Sequence, residues 1–137
     1  MIKLQDQIGQ TLQFSKTPER IICLVPSLTE LVVDLGLTQK LIGITKFCIH
    51  PKNLRKDKMI IGGTKKVNFN KIKGLKPDII LCNKEENTKE IVEKCSEICP
   101  THVSNIVTIN DVLSLVVDYG YIFSCEEISL QLKKRIA

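Results

Sequence analysis

The chain contains no tryptophan, and aromatic residues make up only 4% of it. Proteins that grip single-stranded nucleic acid stack bases on exposed rings, so this scarcity argues against that function class. No run of five or six basic residues occurs either. The 20 lysines and arginines outnumber 15 acids by a net +5, and the lysines are scattered through positions 46–76 and again at 133–134. Charge spread in this way reads as a solvated surface, so no nucleic-acid partner is expected. Apolar runs reach only about six residues, far short of the ~20 that a membrane-crossing helix needs. The opening from Met1 to Gln10 has no apolar core and no small-residue cleavage site, so as it stands the sequence reads as cytoplasmic.

Other absences remove specific chemistries. There is no Cys-x-x-Cys redox pair among Cys23, Cys48, Cys82, Cys95, Cys99 and Cys125, and several of these sit in apolar runs, which reads as reduced thiols. Gly62-Gly63-Thr64-Lys65-Lys66 lacks the Gly-Lys-Ser/Thr core of a phosphate loop. Ser27 lacks the Gly-x-Ser-x-Gly surround of a nucleophile elbow. Cys48 and His50 have no third group to orient them as nucleophile and base. No catalytic residue is assigned, and no enzyme is expected.

What is present is an ordinary globular composition, 43% hydrophobic and 26% charged over 137 residues, which fits one domain. Two short alternating stretches around Gly9 predict a β-hairpin over Ile2–Phe14. Arg20–Val25 is a continuous apolar run, the pattern of a strand buried on both faces of a parallel sheet. Ser27 with Glu30 three residues later predicts a capping box opening a helix over Leu28–Leu35, ended by Gly36. Further strands are predicted at Leu41–Thr45, Met59–Ile61, Asp78–Cys82 and Thr101–Val103. Helices are predicted at Phe69–Leu75, capped by Asn68, and from Asn87 or Thr88 to Glu97. From Thr108 to Ile136 the residues favour helix, interrupted at Gly120. Strands alternating with helices imply an α/β, three-layer αβα lobe with a mostly parallel central sheet.

Open sheets of this kind bind ligands outside the carboxyl ends of their strands. Those ends carry Pro26-Ser27, Lys46-Phe47, Thr64-Lys65 and Asn83-Lys84-Glu85, a mixture of ring, small residues and charge that suits a polar organic ligand with anionic groups. A second candidate is the cluster Cys95, Cys99 and His102, which offers thiolate and imidazole donors for a metal or redox centre. A third is a protein-interaction domain built on the final helical stretch.

The order of these segments resembles a known family. Arg20-Ile21-Ile22-Cys23-Leu24-Val25-Pro26-Ser27-Leu28-Thr29-Glu30-Leu31, Leu35-Gly36-Leu37 and Leu41–Thr45 form one block. His50-Pro51, Ile61-Gly62-Gly63-Thr64, Asn68–Ile72 and Leu75-Lys76-Pro77-Asp78-Ile79-Ile80-Leu81 form the second. Over about residues 2–120 they resemble the N-terminal lobe of helical-backbone substrate-binding proteins of ABC importers for cobalamin, haem and iron-siderophores. The resemblance implies two lobes joined by a long helix, with the ligand between them. Residues 1–107 then form the ligand-binding lobe, and 108–137 begin the connecting helix, with no second lobe following. The matching ligand-facing positions are Pro26, Ser27, Lys46, Phe47, Thr64, Lys65, Asn83, Lys84 and Glu85.

Phe47 stands where cobalamin binders place an aromatic contact. Thr64 stands where some of them have tryptophan, while Lys65 or Lys66 matches the basic residue that siderophore binders often use. The family also implies an acidic residue for docking on its permease at the position held by Asn70, so that partner is placed in question. Such proteins usually work in the periplasm or on a lipid anchor outside the cell. A single lobe offers one wall of a cleft, which implies weak ligand binding by this chain alone and leaves Ile128, Leu130, Leu132 and Ile136 exposed.

Overall fold

A computed structural model describes residues 1–137. Seven strands and six α-helices follow one another as β1 (Ile2–Gln5), β2 (Thr11–Phe14), β3 (Ile21–Cys23), α1 (Pro26–Asp34), β4 (Leu41–Ile44), α2 (Leu54–Asp57), β5 (Met59–Ile60), α3 (Phe69–Leu75), β6 (Ile79–Asn83), α4 (Lys89–Ile98), β7 (Thr101–Ser104), α5 (Ile109–Ile122) and α6 (Glu126–Ile136). The five central strands are all parallel, in the order β5-β4-β3-β6-β7, and β1-β2 is a separate antiparallel hairpin. This is the three-layer architecture that the alternating pattern implies.

The apolar runs explain the layers. Side chains alternate across a strand, so a run such as Ile21–Val25 supplies both faces at once. Ile21, Cys23 and Val25 join Ile79 and Leu81 in a core beneath α1 and α5, whereas Ile22 and Leu24 join Ile80, Cys82 and Val103 in a second core beneath α3 and α4. Ile21, Ile22, Leu24, Ile79, Ile80 and Leu81 are fully buried, and each such aliphatic contributes roughly 1.5–3 kcal/mol relative to exposure. The hairpin covers the otherwise free edge of β7: the Gln7 N–H donates to the Val103 carbonyl at 3.2 Å, and the buried Asp6 carboxylate accepts from the Val103 N–H at 3.0 Å.

Local signals decide most boundaries. Asn68 caps α3 and Thr88 caps α4, each side chain accepting from the N–H three residues on. Thr108 and Asp111 form a reciprocal capping box on α5. At the end of α1, Leu37 N–H bonds the Val32 carbonyl and Gly36 N–H the Val33 carbonyl, the double bond of a Schellman ending.

The predicted capping box at Ser27 does not form. Pro26 is itself the first helical residue, Val25 holds the N-cap backbone position, and no side chain caps α1. The fixed φ of proline suits the first helical position and starts the helix two residues early, leaving Ser27 exposed in the first turn. Leu54–Asp57 closes one short helical turn that begins at the buried Leu54.

The stretch after Thr108 is helical but in two pieces, and the break is not at Gly120. It falls at Ser124, which takes a left-handed φ of 54°. Gly120 lies inside α5, where its missing side chain lets α6 come close: a Cβ there would lie 2.6 Å from the Ser129 Cβ. α5 gives Leu115, Val116, Tyr119 and Ile122 to the main core, and α6 packs on α5 and adds Leu132 to the same core. Leu132 is therefore covered and Ile136 half-buried, while Ile128 and Leu130 remain exposed.

Candidate functional site

The four loops picked out by sequence each follow the carboxyl end of a central strand, but they do not share one pocket. Between the β4 and β5 ends opens a cleft of about 730 Å³ lined by Lys46, Phe47 and the segment from Gly62 to Asn68. Three lysines, Lys46, Lys65 and Lys66, line it, and no acid does. The Lys46 ammonium sits 5.2 Å from the centre of the Phe47 ring, which is 53% exposed. Such a pair is worth about 0.5–1 kcal/mol at an exposed site, and it leaves the cation free to turn to a stronger anionic partner.

The loop behind the ring is shaped by two glycines. Lys46 N–H donates to the Gly62 carbonyl at 2.8 Å, tying the β4 end to the β5 end, and Gly63 N–H donates to the Lys66 carbonyl at 2.8 Å, closing a tight turn. Gly62 has φ +127°, and a Cβ there would lie 2.5 Å from the Lys66 carbonyl oxygen. A Cβ on Gly63 would lie 3.0 Å from Cε2 of Phe47, so that position backs the ring edge.

Asn83, Lys84 and Glu85 form the neighbouring wall. The Asn83 side chain accepts from the N–H groups of Glu85 and Glu86 and donates to Ser104 Oγ at 3.0 Å, holding the turn after β6. Lys65 bridges the two walls by donating from Nζ to the Glu85 carbonyl at 3.0 Å. Lys84 turns away and lines a separate cleft of about 460 Å³ with Ile8, Lys89 and Val92. Pro26 and Ser27 sit at the start of α1 and do not line this cleft; the Leu24 carbonyl two residues before Pro26 accepts from the Asn87 amide.

Asn87 was not among the candidate site residues. It is 3% exposed, and its amide donates to the Leu24 carbonyl at 3.2 Å and to the Thr64 carbonyl at 3.0 Å while accepting from the Asn83 N–H at 2.9 Å. In the sequence it is one of two plausible caps for α4. Nothing there distinguishes it from Thr88, because its partners are backbone groups distant along the chain.

The thiol–imidazole cluster does not assemble. His102 and Val103 are successive strand residues and point to opposite faces. Val103 and Cys95 share the core under α4, while His102 packs edge-on against Tyr119 of α5, ring centres 5.5 Å apart. No group of three His, Cys, Asp or Glu side chains is placed to hold a metal ion. Burial raises the Cys99 thiol to about 12, and Cys48 is buried while His50 is exposed, which ends that pairing too. Asn70 lies exposed on α3. A further pocket of about 320 Å³, between Ser15–Pro18 and Pro100, lies at the amino edge of the sheet, the end that open α/β folds do not use for ligands.

Comparison with known proteins agrees with this fold. The periplasmic binding protein family matches residues 21–136, and the chain belongs to that family. It is 29% identical over 113 residues to an uncharacterized ABC transporter substrate-binding lipoprotein of Bacillus subtilis (strain 168), covering 82% of this chain and 35% of that protein. It is 28% identical over 107 residues to the vitamin B12-binding protein of Yersinia pestis (strain Pestoides F), covering 73% of this chain and 38% of the relative. The chain thus spans little more than a third of the length of these curated relatives. Among solved structures, the siderophore-binding protein BauB, bound to two acinetobactin molecules and ferric iron, superposes with a TM-score of 0.84 at 22% identity, over 98% of this chain and 50% of that one. No helix is long and apolar enough to cross a membrane.

Proposed function

We propose that this chain is the N-terminal ligand-capturing lobe of a substrate-binding protein that serves an ABC importer for iron chelates, haem or cobalamin. Capture is by non-covalent contacts, with no bond made or broken, so the role is not enzymatic. The observation that carries the reading is the carboxyl-edge cleft, where an exposed aromatic ring and three lysines face open space with no acid among them. An anionic chelate with planar aromatic arms meets both features, since it stacks on Phe47 and neutralises lysine charge. A corrinoid meets Phe47 but finds Thr64 in place of the larger contact that some cobalamin binders use. Among the three ligand classes, the cleft therefore favours the anionic iron chelate.

The lobe supplies one wall. Ligand pockets usually enclose most of their ligand's surface, so a second wall adds much of the affinity. The helical segment of α5 and α6 corresponds, in this reading, to the family's connecting helix. In this reading the receptor works outside the membrane and delivers to a permease, with Asn70 in place of the acidic docking residue of relatives.

Equilibrium dialysis of the purified chain against ferric tris-catecholate, haemin and cyanocobalamin tests the assignment. Retention of the ferric catecholate above cyanocobalamin, reduced by Lys46→Glu and Lys66→Glu, is expected. Retention of none of the three at millimolar concentration overturns it.

A further inference from the structure

We propose that Asn87 is the positioning residue of the cleft, one buried amide that fixes three ligand-facing loops relative to one another; the inference rests on the carboxyl-edge cleft being the binding site. The three loops arise from strands far apart in sequence: Leu24 ends the β3 run, Thr64 follows β5, and Asn83 ends β6. Parallel neighbours hold each other in register along the sheet, but past the strand ends the ladder stops and each loop must find other partners. Asn87 reaches all three at once. Both amide hydrogens go to carbonyl oxygens, of Leu24 and Thr64, and its carbonyl oxygen receives the Asn83 N–H. Its own N–H closes the turn by donating to the Asn83 carbonyl at 3.0 Å.

The residue type follows from this pattern. Only a side-chain amide offers two donors and an acceptor from one rigid plane. Aspartate keeps the bond from the Asn83 N–H but sets a carboxylate against two carbonyl oxygens. Leucine has the same branched skeleton of side-chain heavy atoms, with bulkier methyl ends, and makes none of the three bonds. Because Asn87 is buried and does not line the lysine cleft, its effect on ligand passes through the loops. Thr64 and Lys65 are neighbours, and Lys65 in turn reaches the Glu85 carbonyl, so one amide sets the spacing of both walls. Holding a site in its binding geometry lowers the ordering cost of association, so loosening the three loops weakens binding chiefly by speeding dissociation.

Amide hydrogen exchange on the full chain, resolved by residue, tests this without any ligand. In Asn87→Leu, exchange is expected to rise at least tenfold at Gly63–Lys66 and Asn83–Glu86, while the β1-β2 hairpin and α5 stay unchanged. In Asn87→Asp, the Gly63–Lys66 turn is expected to loosen while Asn83 keeps its protection. A uniform rise that includes the hairpin and α5 would show a purely structural role and overturn the proposal, as would unchanged exchange in the loops. With ferric tris-catecholate as the probe, Asn87→Leu is expected to bind at least tenfold more weakly, with faster dissociation. If the wild-type chain does not bind that probe, the functional reading fails, and the exchange pattern alone decides the role of Asn87.

Discussion

His102 on β7 and Asp118 on α5 face each other across the core, with Nε2 and Oδ2 4.0 Å apart, and neither ring nitrogen of the fully buried imidazole has a hydrogen-bond partner. The two groups are pushed in opposite directions. Burial lowers His102 to about 4, opposed by the Asp6 carboxylate of the hairpin, and burial with the same Asp6 charge raises Asp118 to about 6. The packed neighbour Tyr119 is raised as well and stays neutral.

Opposed shifts give opposed pH dependences. For His102 the unfolded chain binds a proton below about 6.5 that the folded chain refuses, so its contribution is present above 6.5 and is lost as pH falls toward 4. For Asp118 the folded chain keeps a proton up to about 6, so its contribution is present below 3.8 and is lost as pH rises through 6. Between pH 6 and 4 the two largely cancel. In Asp118→Asn the His102 dependence stands alone: stability falls on acidification by up to about 1.4 kcal/mol per pH unit, relative to the Asp118→Asn/His102→Asn double variant. Urea unfolding at half-unit pH steps measures it, and parallel profiles for the two variants would count against a neutral buried His102.

The α5–α6 contact gives a second expectation. A Cβ at Gly120 meets both side-chain atoms of Ser129, so Gly120→Ala overpacks the helix crossing and costs about 1–3 kcal/mol. Pairing it with Ser129→Gly removes the clashing atoms. Thermal melts of the two single variants and the double should then show strong coupling, with the double more stable than Gly120→Ala. Additive losses would mean that the crossing relaxes freely.

The glycine pair behind Phe47 separates stability from binding. Gly62 combines φ +127° with a backbone oxygen 2.5 Å from any Cβ, so Gly62→Ala stores strain of roughly 1–3 kcal/mol and lowers the melting midpoint. Gly63 meets the edge of an exposed ring and, at 3.7 Å, the flexible end of the Lys46 side chain. Gly63→Val therefore displaces Phe47 at little cost in stability and weakens retention of an aromatic ligand. Equal melting losses in the two variants would contradict this division.

Charge governs the last variant series. Exposed lysines act through a solvent that screens beyond about 8 Å at 0.15 M ionic strength, so ferric tris-catecholate binding should weaken as salt rises. Lys66→Gln should flatten that dependence. A salt-independent affinity would remove the lysines from the account.

Most of the fold is legible in the sequence because its signals are local. The unbroken run Arg20–Val25 announces a strand with two buried faces, and Asn68, Thr88 and Gly36 mark helix ends with their own side chain or conformation. Ser27 misled because a serine-to-glutamate spacing competes with the proline before it, and proline opened α1. Gly120 misled because a glycine in a helical stretch reads as a break, whereas here it serves a tertiary contact with Ser129. The cleft residues Lys46, Phe47, Thr64 and Lys65 follow from their positions just past strand ends. Asn87 does not, since its partners Leu24, Thr64 and Asn83 come together only in the folded sheet, and for the same reason Cys95 and His102 looked like partners until the sheet separated them.

The central claim is that the carboxyl-edge cleft captures an anionic metal chelate, with this lobe as one wall. The most direct test is amide NMR of the isotopically labelled chain titrated with ferric tris-catecholate, whose paramagnetic iron broadens the resonances of residues near it. The account predicts broadening centred on Phe47, Gly63–Lys66 and Asn83–Glu85, saturating only at high micromolar concentration or above. Broadening centred on the amino-edge pocket around Pro18 and Pro100, or none up to millimolar ligand, would contradict it.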